Sequence, residues 1–527
     1  MSSLARSTVV AAALLAGTAS ATATVGQPAA APPVNQILEV MKRATRFMVE
    51  DVSTNGGYVW TYLPDRSRRW GELEARATQI WIQPPGTATM GHLFLDAYHA
   101  TQDEYYYRAA ESVAGALIRA QHPSGGWNYL ADFAGERSLR EWYDTVGRNA
   151  WRMEEFQHDW GNATFDDSAT AVSAKFLLRL YVEKRDPKYK PALDKALAFV
   201  LDSQYPIGAW PQRFPLKNEF SHHDHPDYTS YLTFNDGVAG ENVDFLVLCH
   251  QALGDGRVRD AITRGMSAFL VTQMGPPQPG WALQYTPDLQ PAAARTYEPK
   301  ALATHTTAAN VELLMRFYRL TGDTRFLARI PEALDWLQGL ALPPGAARRP
   351  GETHPTFVEV GTNRPLYVHR QGSNVVNGRY YVDYSPDRTP AHYNAFRRLD
   401  VAGLRTQYEQ VRAMSRAEAT AGSPLMAGPG VVPLPRFFAL ARSGGPSVAE
   451  AVSGLNDQGY WPARLGSTSH PFTRHGSKEI PAGDFSQTHV GDETDTSPFP
   501  DGTTIGISTA AYIRHMSVLI RALDDHR

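Results

Sequence analysis

The chain has 527 residues, 43% of them apolar and 20% charged, which suits a large buried core and not a disordered polypeptide. Lys and Arg number 51 against 54 Asp and Glu, and the resulting net charge of −3 argues against a dedicated nucleic-acid binder. A single cysteine, Cys249, excludes an internal disulfide framework and any cysteine-rich zinc site.

In chain order, a weakly basic start, an apolar run from Val9 to Leu15 and small residues at Ala19-Ser20-Ala21 and Ala21-Thr22-Ala23 read as a secretory signal peptide over residues 1–23. The run is too short to span a bilayer, so a secreted or periplasmic protein with no membrane association is expected. Residues 24–34 form a Pro/Ala spacer, and Gln36 to Glu50 is a candidate first helix, followed by Gly56, Gly57 and Trp60. Four segments then share one plan: a helix ending near an Asp, a second helix, and usually a Gly/Pro turn carrying Trp. The Asp residues are Asp103, Asp186, Asp255 and Asp323, spaced by 83, 69 and 68 residues. Gln121, Gln204 and Gln273 each follow the first three by 18 residues; the fourth copy has Ala341 there. Val311, Leu314, Met315 and Tyr318 show the helical apolar period, and Gly254 and Gly322 stand where a left-handed helix end suits glycine. Helix pairs recurring at about 70 residues exceed the usual solenoid unit of about 33–47 and predict an α/α toroid.

Beyond Leu342, Leu366-Tyr367-Val368 and Arg379 to Tyr384 predict a short β-hairpin around Gly372 and Gly378. Helices are expected near Leu399 to Met414 and Ile507 to Leu523, with surface loops from Gly459 to Phe499. These readings divide the chain into a toroid over 35–390 and a helical, loop-rich extension over 391–527, packed on the same domain.

Three motifs occupy corresponding ends of the repeats. Thr164-Phe165-Asp166-Asp167-Ser168-Ala169-Thr170 and Leu232-Thr233-Phe234-Asn235-Asp236-Gly237 each open an inner helix, where N-capping is the ordinary use of Asp and Asn. Converging on one pocket, their oxygens suit a hard cation such as Ca²⁺. The third, Ala293 to Lys300, contains Arg295-Thr296-Tyr297-Glu298, ordinarily a surface ion pair but here expected beside the two acidic helix starts. Ser221-His222-His223-Asp224-His225 and the isolated His470, His475 and His489 lack the spacing of a transition-metal site. Cys249, in an apolar helical run, reads as inert core.

The block Tyr205-Pro206-Ile207-Gly208-Ala209-Trp210-Pro211-Gln212, then Thr233-Phe234-Asn235-Asp236, then Ala294-Arg295-Thr296-Tyr297-Glu298-Pro299 resembles, in order, segments of the family ten pectate lyases. The resemblance covers roughly residues 120 to 390. It implies an incomplete α/α barrel, mainly α, that cleaves an acidic polysaccharide, polygalacturonate, by β-elimination with Ca²⁺. It carries the proton-abstracting role to Arg295 and a charged metal and substrate role to Asp166. Metal ligation is carried to Asp166, Asp167, Asn235 and Asp236. Two departures stand out: Asp167-Ser168 replaces the family's Asn-Asp, and Gly237 replaces its second Asp.

The chemistry suits these residue types. Removing the C5 proton of a uronate is opposed by its carboxylate, and a cation offsets the developing charge. A guanidinium base requires surroundings that lower its pKa, because free arginine stays protonated. Arg213, Lys217 and Lys300 are candidates for the substrate carboxylates, with solvated charge as the competing use. Trp210, Trp281 and Tyr297 are candidate sugar contacts, with burial competing for the tryptophans. A monomer is expected. Competing functions are a lyase on another uronan, a glycoside hydrolase pairing Asp166 or Asp167 with Glu298, and a polysaccharide-binding homologue without turnover.

Overall fold

The computed structural model describes residues 32–147, 154–217, 227–371, 379–387, 389, 393–441, 445–465 and 504–525. Helix α1 (Val34–Phe47) is followed by helix pairs: α2 (Thr87–Thr101) with α3 (Glu104–Ala120), then, after α4 (Glu136–Thr145), α5 (Ala169–Lys184) with α6 (Lys190–Asp202). The series continues with α7 (Val238–Leu253) and α8 (Arg257–Thr272), then α9 (Thr304–Thr321) with α10 (Arg325–Ala328) and α11 (Ile330–Gly339). The helices α12 (Val401–Ala413), α13 (Arg416–Thr420), α14 (Pro424–Ala427), α15 (Val448–Ser453) and α16 (Thr509–Asp525) complete the described set. The inner helices follow one another around a ring, α16 against α2, α2 against α5 and α5 against α7. A Cβ on Gly240 of α7 would run into Leu313 of α9, so this glycine lets the next inner helix come close. The section after α11 holds α12, two short helices and an extended strap in place of another regular pair. The fold is therefore an incomplete α/α toroid.

The repeated residues have defined jobs. Each marker Asp caps the outer helix, accepting the backbone N–H two residues on: Asp103 from Tyr105, Asp186 from Lys188, Asp255 from Arg257 and Asp323 from Arg325. Each repeated Gln braces two copies. Gln121 donates to Gly125 O and Ala192 O, Gln204 to Gly208 O and Ala261 O, and Gln273 to Pro279 O and Arg329 O. The first carbonyl of each pair lies in the copy's own turn, and the second near the start of the next outer helix or just ahead of it. Gly208, at φ +105°, presses so closely on Arg264 O that a Cβ would sit 2.0 Å from it.

The Trp of each turn is core. The indole N–H groups of Trp127, Trp210 and Trp281 donate to Leu117 O, Val200 O and Phe269 O at the ends of their outer helices. The stretch from Gly459, expected to be surface loop, begins with one more such turn. Trp461 donates to Ala451 O of α15 and is 3% exposed, and Gly459 packs against Arg43 and Phe47 of α1. The rest of that expected loop, 466–499, and the histidines 470, 475 and 489 lie outside the described residues.

Residues beyond 390 pack directly onto the ring. Phe396–Arg397 pairs with His354–Pro355, α12 packs on α9 and α11, and α16 packs on α1 and α2. A strap from Gly430 to Ala441 crosses the other end of the inner helices. Its backbone bonds Gln251 of α7, Arg179 of α5, Asp96 and His99 of α2, and Ser517 of α16. Beneath it Arg179 and Asp96 form a buried ion pair at 2.7 Å. The expected hairpin forms as Pro365–Gln371 against Arg379–Asp383, within a four-stranded sheet that includes Ala301–Ala303 and Phe357–Glu359. A five-stranded sheet joins the chain's two ends, with Ile505–Ser508 beside Thr61–Tyr62. Among the described residues no helix is long and apolar enough to cross a membrane.

Candidate active site

Two inner helices begin with the same unusual turn. Before α5, Asp166–Ser168 forms a short 3-10 turn in which Asp167 (φ 48°, ψ 33°) and Ser168 (φ 59°, ψ 10°) are left-handed. Before α7, Asn235–Gly237 repeats it, with Asp236 at φ 48°, ψ 27° and Gly237 at φ 73°, ψ 11°. Backbone geometry thus matches Asp166 with Asn235, Asp167 with Asp236 and Ser168 with Gly237. Such a conformation costs a non-glycine residue about 1–2 kcal/mol, less for Asp than for most. The strained pair puts Asp167 and Asp236 on the wall of one cavity of about 370 Å³.

Arg295 joins the two starts. It sits in a turn closed by the Glu298 N–H to its own carbonyl at 2.7 Å, and is 3% exposed. Its guanidinium reaches Glu298 at 2.8 Å, Asp166 at 3.3 Å, Glu155 at 3.4 Å and Asp236 at 3.5 Å. Tyr129 donates to Asp166 at 2.6 Å, Tyr297 to Glu155 at 2.8 Å, and both Tyr393 (2.7 Å) and Asn235 (2.9 Å) to Glu298. Burial alone would lower the Arg295 pKa, but Glu298, Tyr297 and Asp166 outweigh it, and the guanidinium is held well above its ordinary value. That direction is opposite to what proton abstraction by the free side chain requires.

The same pocket raises several carboxyl pKa values. Glu155 is raised by burial, and Asp167 well raised by burial and then by Asp166 and Glu72. Glu72 is pushed up to about 8 by burial and by Glu155. Gln83 organises part of this group. The Trp81 indole N–H donates to Gln83 Oε1 at 2.5 Å, so the amide nitrogen must face the other way, toward Asp167 at 2.7 Å and Glu72 at 3.1 Å. His305 lines the cavity neutral, its pKa pushed down to about 3 by burial and Arg397. Arg397 also lines it and, among the described residues, makes no hydrogen bond or ion pair through its guanidinium, which lies 5.8 Å from the Tyr393 ring centre.

The structure brings together Arg295, Asp166, Asp167, Asn235 and Asp236. It does not bring the expected sugar contacts with them. Trp210 and Trp281 are 0% exposed, so neither offers a ring to a sugar, and their use is core packing. Arg213, 1% exposed, is held by Asn128 and Asn162 between the rings of Tyr129 and Trp160. Lys217 donates to Trp160 O, and Lys300 is exposed; neither lines the cavity. Tyr297 is buried behind Arg295 and not on the wall. The Ser221–His225 cluster lies outside the described residues. Sequence reasoning missed Glu72, Gln83, Glu155, His305, Tyr393 and Arg397, which fall outside the three motifs and carry no shared spacing.

As arranged, the residues do not form a calcium cradle. Among the described residues no three His, Cys, Asp or Glu side chains converge on a metal position. Asp166 is turned to Arg295 and Tyr129, Asp167 to Gln83, and the Asn235 amide to Glu298. Asp166 Oδ1 and Arg295 Nε are buried and make no hydrogen bond among the described residues. Ser168 and Gly237 offer no carboxylate to complete a set.

Residues 137–384, just under half of the chain, match the family described as pectic acid lyase, and both acidic helix starts and Arg295 fall within them. The chain resembles the pectic acid lyases. These are polysaccharide lyases, and the match leaves Glu72, Gln83 and Arg397 outside it. No curated protein matches the chain. Among solved structures it is similar to a mutant family 10 polysaccharide lyase from Cellvibrio cellulosa in complex with trigalacturonic acid. Identity there is 20%, over 56% of this chain and 88% of that one, with a TM-score of 0.38. A further structure of a family 10 polysaccharide lyase from the same organism gives 18%, 63%, 91% and 0.37. The cellobiose 2-epimerase from Spirochaeta thermophila gives 12%, 58%, 71% and 0.37. At these values the likeness says nothing of activity, and the fold stands on the helix packing described above.

Proposed function

We propose that this pectic acid lyase relative is an exported, monomeric enzyme that cleaves polygalacturonate by β-elimination. The observation that carries the reading is the buried Arg295, clamped between two matching acidic helix starts within the segment that matches the family. Elimination needs a group to take the C5 proton, a positive charge near the uronate carboxylate and a proton for the departing oxygen. Arg397 suits the second need, as a cavity cation whose guanidinium no described carboxylate holds. Arg295 suits the first only after substrate parts it from Glu298 and Asp166, since their charges favour the guanidinium form. An anionic substrate also meets Glu72, Glu155, Asp167 and Asp236, so protons on this group are needed to limit repulsion. Calcium, expected from the resemblance, has no part in these steps.

The test is to incubate purified protein with polygalacturonate and follow the ultraviolet absorbance of the unsaturated product, with chelator and with added calcium. Unsaturated product supports the reading; new reducing ends without it favour hydrolysis. A second reading, glycoside hydrolysis, draws on the Glu72 and Asp167 carboxyl groups held on one amide nitrogen, because paired carboxyls also serve that chemistry.

A further inference from the structure

Elimination leaves one proton unaccounted for, the one that the departing glycosidic oxygen takes. Glu72 is placed to supply it. It comes from the loop between the strands Arg69–Trp70 and Glu74–Ala75, outside the family match, and lines the same cavity as Arg295 and Asp236. Its Oε2 accepts from Gln83, and its other carboxyl oxygen takes no hydrogen bond from the described residues. Gln83 cannot turn over, because Trp81 is a donor only and occupies its Oε1. The Trp60 indole donates to the backbone carbonyl of Gln83, at 3.1 Å, and so holds its main chain. The amide nitrogen therefore holds Glu72 and Asp167 within two hydrogen-bond lengths of each other. Two carboxyl groups this close in a buried site do not both ionise readily.

Both are pushed toward the protonated form, Asp167 well above the ordinary carboxylate range by burial and then by Asp166 and Glu72. Glu72 has no ion-pair partner among the described residues. The charged groups around it are Glu155, Asp166, Asp167 and Arg295, three anions against one cation. Burial and Glu155 push it up to about 8, so it is protonated at neutral pH.

We propose that Glu72 is the proton donor to the departing glycosidic oxygen, with Gln83 as its positioning residue. This rests on the lyase reading above. As the base takes the C5 proton, the C5–H electron pair becomes the C4–C5 double bond. The C4–O4 bond breaks, and O4 leaves with the Glu72 proton. Solvent then returns a proton to Glu72.

The experiment compares the full-length protein with Glu72→Gln and Glu72→Asp on polygalacturonate, reading kcat, KM and the pH profile by unsaturated product. Removing a general acid lowers kcat by about 10²–10⁴-fold, so Glu72→Gln is expected to lose that much with KM nearly unchanged. Its kcat should also lack the alkaline decline expected of the wild type, and Glu72→Asp, which keeps an acid one methylene back, should recover part of the rate. Thermal melting of each variant checks folding, and Glu72→Asp carries the test if Glu72→Gln does not fold. A Glu72→Gln enzyme with kcat within a few-fold of wild type, or one impaired only in KM, overturns the proposal while leaving the lyase reading intact. So does a Glu72→Asp profile that keeps the wild-type kcat and alkaline limb when Glu72→Gln cannot be measured. A wild type that yields no unsaturated product from any uronan overturns both.

Discussion

Glu298 grips Arg295 twice, accepting its backbone N–H on Oε2 at 3.1 Å and its guanidinium on Oε1 at 2.8 Å. The three-residue spacing is what permits this, since the intervening turn brings the carboxylate back over the arginine it follows. Arg295 is thereby fixed in both backbone and side chain before any substrate arrives. Removing it leaves Glu155, Asp166 and Glu298 buried without their cation. Arg295→Ala is expected to abolish turnover and to lower stability by about 3–5 kcal/mol near neutral pH. Denaturant unfolding of variant and wild type near neutral pH checks this.

The acidic pocket also sets how the whole protein responds to pH. Glu72, Glu155 and Asp167 have folded pKa values raised above their ordinary ones, Glu72 to about 8. The folded state therefore binds more protons than the unfolded one between those values, and stability must fall as pH rises through that interval. The Glu72 contribution is complete below an ordinary carboxyl pKa of about 4.3 and is lost as pH rises through about 8. Melting temperature across this range should decline, and Glu72→Gln should flatten the upper part of the slope.

Burial of the turn tryptophans makes a prediction that a sugar-platform role would not. Trp210→Ala leaves a cavity under the turn and removes the indole N–H from the Val200 carbonyl, and should cost about 3–5 kcal/mol in denaturant unfolding. Under conditions where the variant stays folded, its KM for polysaccharide should match that of the wild type. A raised KM at unchanged stability would return the ring to the substrate.

Arg397 should behave in the opposite way. Its guanidinium makes no ion pair among the described residues, so Arg397→Ala should change stability little. If it receives a uronate carboxylate, the loss of a charge-assisted contact of about 1.5–3 kcal/mol raises KM or lowers kcat/KM by about 10–150-fold. Kinetics on polygalacturonate check this, and a fully methyl-esterified substrate should show a smaller difference between variant and wild type.

Much of the ring was legible because its markers act locally. Asp103 and its three counterparts cap helices through a contact two residues away, and Gln121, Gln204 and Gln273 sit at one fixed distance because the chain from cap to turn keeps one length in the three copies. The acidic helix starts and Arg295 were legible for a related reason, each being a short motif with its own backbone geometry. Glu72 and Arg397 were not. Glu72 comes from a loop between two small strands and Arg397 from a small strand hundreds of residues later, paired with His354–Pro355, and only the folded ring brings the two to one cavity. Trp210 and Trp281 misled because an aromatic beside Gly and Pro reads the same whether its ring faces a sugar or the end of a preceding helix. The turn after Gly459 was missed because it stands alone, without the helix pair that announced the others.

The strap from Gly430 to Ala441 bears on how a polymer is handled. It is tied to four inner helices at the end away from Asp167 and Asp236, so the middle of the ring has a floor. On the proposed lyase reading, a polymer would lie across the mouth, and both fragments would leave by the face through which the parent arrived.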